Sequence, residues 1–145
     1  MIEKIVSGGR TGVEMAALDA AIKVGMAYGG WIPKDNGEFG DMKADKYNLT
    51  EMSTTHRVET FKKNIRESDG TLMLSHGTLS KDVKTTKNTI QRYSTPLLHV
   101  DLSSTNAFNA ASLINDWLID NDLNILHVTG PTENEDDNIY SATLD

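Results

Sequence analysis

Ser7-Gly8-Gly9-Arg10-Thr11-Gly12 constrains this chain more than any other stretch. It follows a short apolar run from Ile2 to Val6. It precedes a periodic one in which Val13, Ala16, Ala17, Ala20, Ala21 and Val24 recur at helical spacing. Gly25 then stands where a left-handed C-terminal cap is expected. The order is strand, glycine-rich turn, helix. Such a turn aims backbone N–H groups at the space before the helix, where the helix dipole also favours an anion. Glycines let a ligand approach the backbone, because no Cβ intervenes. The turn is therefore a candidate site for phosphate or another oxyanion, although the same glycines would serve plain helix–strand packing. Neither the G-x-G-x-x-G spacing of dinucleotide sites nor the Gly-Lys-Ser/Thr of a P-loop is present.

Further along, Met26 to Ile32 reads as a second strand, weakened by Gly29 and Gly30. From Lys34 to Met52 the chain is polar and aperiodic, long for a connection within one domain. Ser53 to Ser68 is expected to be helical on the spacing of Val58, Phe61 and Ile65. Gly70 to Ser75 reads as a buried parallel strand, ending at His76-Gly77. A weaker helix at Lys84–Tyr93 precedes a fourth strand, Pro96–Leu102. Ser103 or Ser104 is expected to cap a helix containing Phe108, Ala111, Ile114, Trp117 and Leu118. Leu123–Thr129 is a fifth strand, closed by Gly130-Pro131.

Strands alternate with helices, so the expected fold is α/β: a doubly wound, five-stranded parallel sheet with helices on both faces. The favoured strand order is 2-1-3-4-5, which makes the first and third strands neighbours. The Ser7–Gly12 turn and His76–Ser80 would then face each other across one crevice. Lys34, just past the second strand, is the cation expected to face it. A length of 145 residues fits a single domain. The net charge of −7, with no basic stripe, argues against a nucleic-acid partner. No apolar run spans a membrane and no signal-peptide pattern is present, so the expected location is the cytoplasm. No cysteine is present, and His56, His76, His99 and His127 show no ligand spacing, so no metal site is expected. His99 and His127 read as core residues of strands; Glu14 is an available carboxylate for an enzyme, but reads first as an exposed helix residue.

The chain also resembles a known family. Ser7-Gly8-Gly9-Arg10-Thr11-Gly12-Val13-Glu14, with Ala16-Ala17-Leu18-Asp19, is similar to the S-G-G-Q-T-G-x-D-x-A-A-L-D opening of the putative molybdenum carrier family. Gly29-Gly30-Trp31-Ile32-Pro33-Lys34 resembles that family's G-G-W-x-P-K. Tyr47, Leu49, Glu51, Asn64, Ser68 to Leu72 and Gly130-Pro131 also match. The family lies in the SLOG group of Rossmann-like proteins, so the resemblance implies one Rossmann-like domain over residues 1–145 with a nucleotide- or oxyanion-binding crevice. Three departures stand out. Arg10 replaces the usual Gln, Met15 replaces the usual Arg, and Leu79 to Thr86 lacks the glycine pair that the family carries after its third strand.

The reading is a binding protein or carrier for a small anionic ligand: molybdate, a phosphate-like oxyanion or a nucleotide. Ser7, Gly8, Gly9, Arg10, Thr11, Gly12, Lys34, Ser75, His76 and Gly77 are its candidate binding residues. Catalytic residues are not assigned. The alternatives are an enzyme resembling the nucleoside monophosphate phosphoribohydrolases of the SLOG group, and an interaction module with a vestigial pocket. Apolar helix faces leave room for a homo-oligomer.

Overall fold

The computed structural model describes residues 2–10, 12–32, 49–53, 57–76, 87–92 and 95–130. Among these described residues seven strands run in chain order: β1 Lys4–Val6, β2 Ala27–Gly29, β3 Trp31–Ile32, β4 Thr50–Glu51, β5 Gly70–Ser75, β6 Leu97–Asp101 and β7 Ile125–Thr129. The helices among them include α1 Val13–Val24, α2 Arg57–Arg66 and α3 Ala107–Asp120, with a helical segment at residues 87–91.

Helix α1 forms where its periodicity places it. Val13, Ala16, Ala17, Leu18 and Ala21 are buried, and Gly25 closes the helix at φ 72°, donating its amide back to the last turn. The expected stripe ends early, because Val24 is 70% exposed. The α3 cap differs from expectation: Asn106, not Ser103 or Ser104, accepts the Asn109 amide at 2.8 Å. Ser103 instead donates both its amide and its hydroxyl to Asp101 Oδ1. That turn keeps Ser103 away from the helix.

The stretch from Met26 to Ile32 is two strands rather than one. Gly30 sits between them at φ 148°, and a Cβ there would collide with the carbonyl oxygen of Ser7. Only glycine lets the two backbones come so close. Beyond it the chain leaves the main sheet, and β3 pairs in parallel with β4.

The main sheet has the order β2-β1-β7-β5-β6, and every pairing in it is parallel. The expected 2-1-3-4-5 is therefore wrong in one respect. The last strand is not at an edge but lies between the first and the third, with Leu126 opposite both Ile5 and Gly70. Its composition permits this. Leu126, His127, Val128 and Thr129 are all buried, as a strand covered on both faces must be. If β7 is counted first and the rest follow cyclically, the order reads 3-2-1-4-5.

Alternation along the strands divides the core in two. Leu72, Leu74, Leu126 and Val128 point to one face, where they cluster with Val13 and Ala17 of α1 and Ala110 of α3. Met73 points to the other, against Ile65 of α2 and Ile90 of the 87–91 segment. Right-handed crossovers demand this division. The connections through α1 and α3 both move toward the β2 edge, whereas those through α2 and residues 87–91 move toward the β6 edge.

Candidate functional site

The turn after β1 is shaped by what surrounds it. Ser7 is fully buried; its amide donates to the Gly29 carbonyl at 3.0 Å and its hydroxyl to the Glu14 carbonyl at 3.1 Å. Gly9, at φ 74°, donates to the Ser7 hydroxyl at 3.4 Å. Gly12, at φ 88°, opens α1 with no side-chain cap. The Met15 and Ala16 amides are taken by the Arg10 and Gly12 carbonyls, at 2.9 and 3.0 Å.

Glu14 corrects the expectation of an exposed helix residue. It is 6% exposed, and its carboxylate folds back over the turn. Oε1 accepts the Arg10 amide at 3.3 Å, and Oε2 accepts the Thr129 hydroxyl at 3.0 Å. A Cβ on Gly8 would fall 2.7 Å from Oε1, so the glycine is what admits the carboxylate. The signal for this arrangement was present as glycine two residues before Arg10 and a carboxylate four after it. Its partner Thr129, however, lies 115 residues away.

Gly130 completes the wall beside the turn. A Cβ there would meet the Leu74 carbonyl and lie 2.6 Å from Val13 Cγ2. β1, β7, β5 and α1 therefore converge at this edge, with only glycine-sized clearance at Gly8 and Gly130. Asn64, 2% exposed, frames it from α2. It accepts the Trp31 amide at 2.8 Å and donates to the Trp31 carbonyl at 3.2 Å, as a sheet neighbour would.

The strand ends that lead into the two expected loops are not neighbours. Because β7 intervenes, β1 and β5 are two strand spacings apart, about 10 Å. Ser75 is buried, with its hydroxyl 2.7 Å from His99 Nε2, and His76 is partly buried at the strand end. Burial and the nearby Lys87 push His99 below the ordinary histidine range, against the opposing pull of Asp101. His127 sits wholly inside, 3.1 Å from Thr71 Oγ1 and edge-on to Phe61, and burial lowers it to about 3. Thr11, Lys34 and Gly77 lie outside the described residues. Among the described residues, no group of three His, Asp or Glu side chains is arranged to hold a metal, and no helix is long and apolar enough to cross a membrane.

Residues 5–145 match the model of the Circularly permutated YpsA SLOG family. The chain is also similar to a crystal structure described as a putative molybdenum carrier protein from Syntrophus aciditrophicus SB. The two are 41% identical and superpose with a TM-score of 0.92, over 99% of this chain and 90% of that one. No curated protein matches.

Proposed function

Because this chain belongs to the circularly permutated YpsA family of the SLOG group, we propose that it is a small-ligand binding protein. Its site would be the Ser7–Gly12 turn, and its ligand an oxyanion or the phosphate of a nucleotide. On this reading the domain is Rossmann-like, with its last strand in the place where such folds begin.

The observation that carries the proposal is the Arg10 amide. It donates to a carboxyl oxygen within the folded chain, the kind of acceptor that an oxyanion would present to this turn. The amides of Gly9 and Arg10 already serve Ser7 and Glu14, so a ligand would rely on Thr11, Gly12 and the head of α1. Arg10 and Lys34 would add charge. Ser75, His76 and Gly77 would border the site from beyond β7, rather than across a shared crevice. The molybdenum in the neighbour's name makes molybdate one candidate among phosphate-like anions.

Isothermal calorimetry with molybdate, phosphate, sulfate and nucleoside monophosphates tests the reading. Saturable binding is expected, weakened by Gly9→Asp, which forces a side chain and a negative charge into a left-handed position of the turn. The absence of heat from every ligand at millimolar concentration sinks it.

The buried Glu14 carboxylate favours a second reading, cleavage of the glycosidic bond of a nucleoside monophosphate. A carboxylate held beside the phosphate-binding turn could stabilise the cationic sugar of the transition state. Release of free base during incubation, lost in Glu14→Gln, is its signature.

A further inference from the structure

We propose that the outer face of α3 binds a second copy of this chain, as an antiparallel pair of α3 helices about a two-fold axis.

The inner face of α3 is committed to the core: Ala110 is buried, and Ile114, Trp117 and Leu118 pack against the same cluster. Phe108, Ser112, Asn115 and Ile119 follow one another at steps of four, three and four residues, the spacing of a coiled-coil seam. At 3.6 residues per turn that seam lies on the side of the helix opposite Ala110 and Trp117. All four residues are exposed, Phe108 by 82% and Ile119 by 67%. Single apolar side chains in water are ordinary. Here two of them stand at the ends of one seam, with only Ser112 and Asn115 between them on it.

The seam fits itself when reversed. In an antiparallel pair Phe108 meets the partner's Ile119, and Ser112 meets the partner's Asn115, each contact occurring twice. A hydroxyl and a carboxamide both donate and accept, so the polar centre is satisfied by its own copy and fixes the register. Such a contact closes after two copies.

Charge singles out the same occupant. The charged side chains of α3 are Asp116 and Asp120, both in its C-terminal half, with no acidic residue in the first turn and no basic one in the last. Acidic groups near the carbonyl end of a helix oppose its dipole. The antiparallel register sets Asp120 level with the start of the partner's α3, where the dipole favours it. A parallel copy would leave both acids at the unfavourable end. The contact is small, because a helix of 14 residues is about 21 Å long and two such faces bury less than the roughly 1,200–2,000 Å² of a standard interface. The dimer is therefore expected to be weak, half-formed at a chain concentration of about 0.1 mM.

Sedimentation equilibrium of the full chain between about 10 μM and about 1 mM is expected to show monomer passing into dimer. Phe108→Glu should stay monomeric throughout that range. Val24→Glu places the same charge on the exposed end of α1 and should dimerise as the natural chain does. The chain has no cysteine, so single-cysteine variants report the register. Phe108→Cys mixed with Ile119→Cys should be joined by a short bismaleimide several-fold more than either variant alone, since like positions stand about 17 Å apart in the antiparallel pair. A natural chain that is monomeric at every concentration overturns the proposal. Dimerisation undiminished in Phe108→Glu, or lost equally in Val24→Glu, moves the contact off this face and overturns it too. Each cysteine variant joining itself as readily as the mixture rules out the antiparallel register.

Discussion

Glu14, on the first turn of α1, and Thr129, the last residue of β7, meet at 3.0 Å in a buried hydrogen bond. The bond ties the start of the described chain to its end, across the edge of the sheet where the candidate site lies. It also fixes the carboxylate in the turn. Removing the Thr129 hydroxyl tests this bond, and three other contacts of the fold carry predictions of their own.

Thr129→Val keeps the shape of the side chain but removes the hydroxyl. The buried Glu14 loses one of its donors, which is expected to cost about 1–3 kcal/mol of stability. Thr129→Ser retains the hydroxyl and is expected to lose less than half as much. Urea denaturation of the two variants beside the natural chain separates them, and equal losses would point to packing instead of the bond.

Gly30→Ala meets two obstacles, a backbone at φ 148° and the Ser7 carbonyl in the place of its Cβ. Strain and collision together are expected to exceed about 3 kcal/mol. The variant should melt well below the natural chain or fail to fold. Gly25→Ala is the control: its φ of 72° is also strained, but nothing lies within 4 Å of the added carbon. It should be the milder of the two by circular dichroism.

Asn64→Ala leaves the Trp31 amide and carbonyl without their side-chain partner. The expected loss is about 2 kcal/mol. Trp31 also donates its indole N–H to Glu67 at 2.7 Å, and Lys63 lies 4.9 Å from the centre of its ring. The hydrogen bond from Trp31 is the main cause holding the Glu67 carboxyl below its usual range. Release of β3 should loosen these contacts and shift Trp31 emission to the red. Trp117, on α3, serves as the internal reference once Trp31→Phe has isolated its spectrum.

His127 gives stability an acid limb. Burial lowers it to about 3, so the unfolded chain takes up its proton first as pH falls. No penalty exists above the unfolded value near 6.5. Between there and about 3 stability falls with decreasing pH, approaching about 1.4 kcal/mol per unit for this one group. His99 is also lowered and contributes with the same sign. His127→Gln should flatten the slope of unfolding free energy between pH 6 and 4.5, and an unchanged slope would mean that His127 does not carry the limb.

The strand β5 was legible to the residue, Gly70 to Ser75, because a short apolar run flanked by turn residues has few other uses. The candidate turn was legible for a similar reason, since Gly9 and Gly12 both adopt the left-handed backbone that favours glycine. The split at Gly30 was less so. Two glycines signalled close approach, but what approaches is Ser7, and sequence spacing does not say so.

By itself, the sequence determined the things that depend on neighbours along the chain: the α1 periodicity and its Gly25 cap, the alternation of strands and helices, and the glycine-rich turn between β1 and α1. Only the tertiary structure decided what depends on distant partners. The central place of β7 follows from its pairing with β1 on one side and β5 on the other, and a buried parallel strand reads the same wherever it inserts. The burial of Glu14 was decided in the same way. A charged residue on a first helical turn looks solvent-facing until a hydroxyl 115 residues away and a glycine without a Cβ make room for its carboxylate.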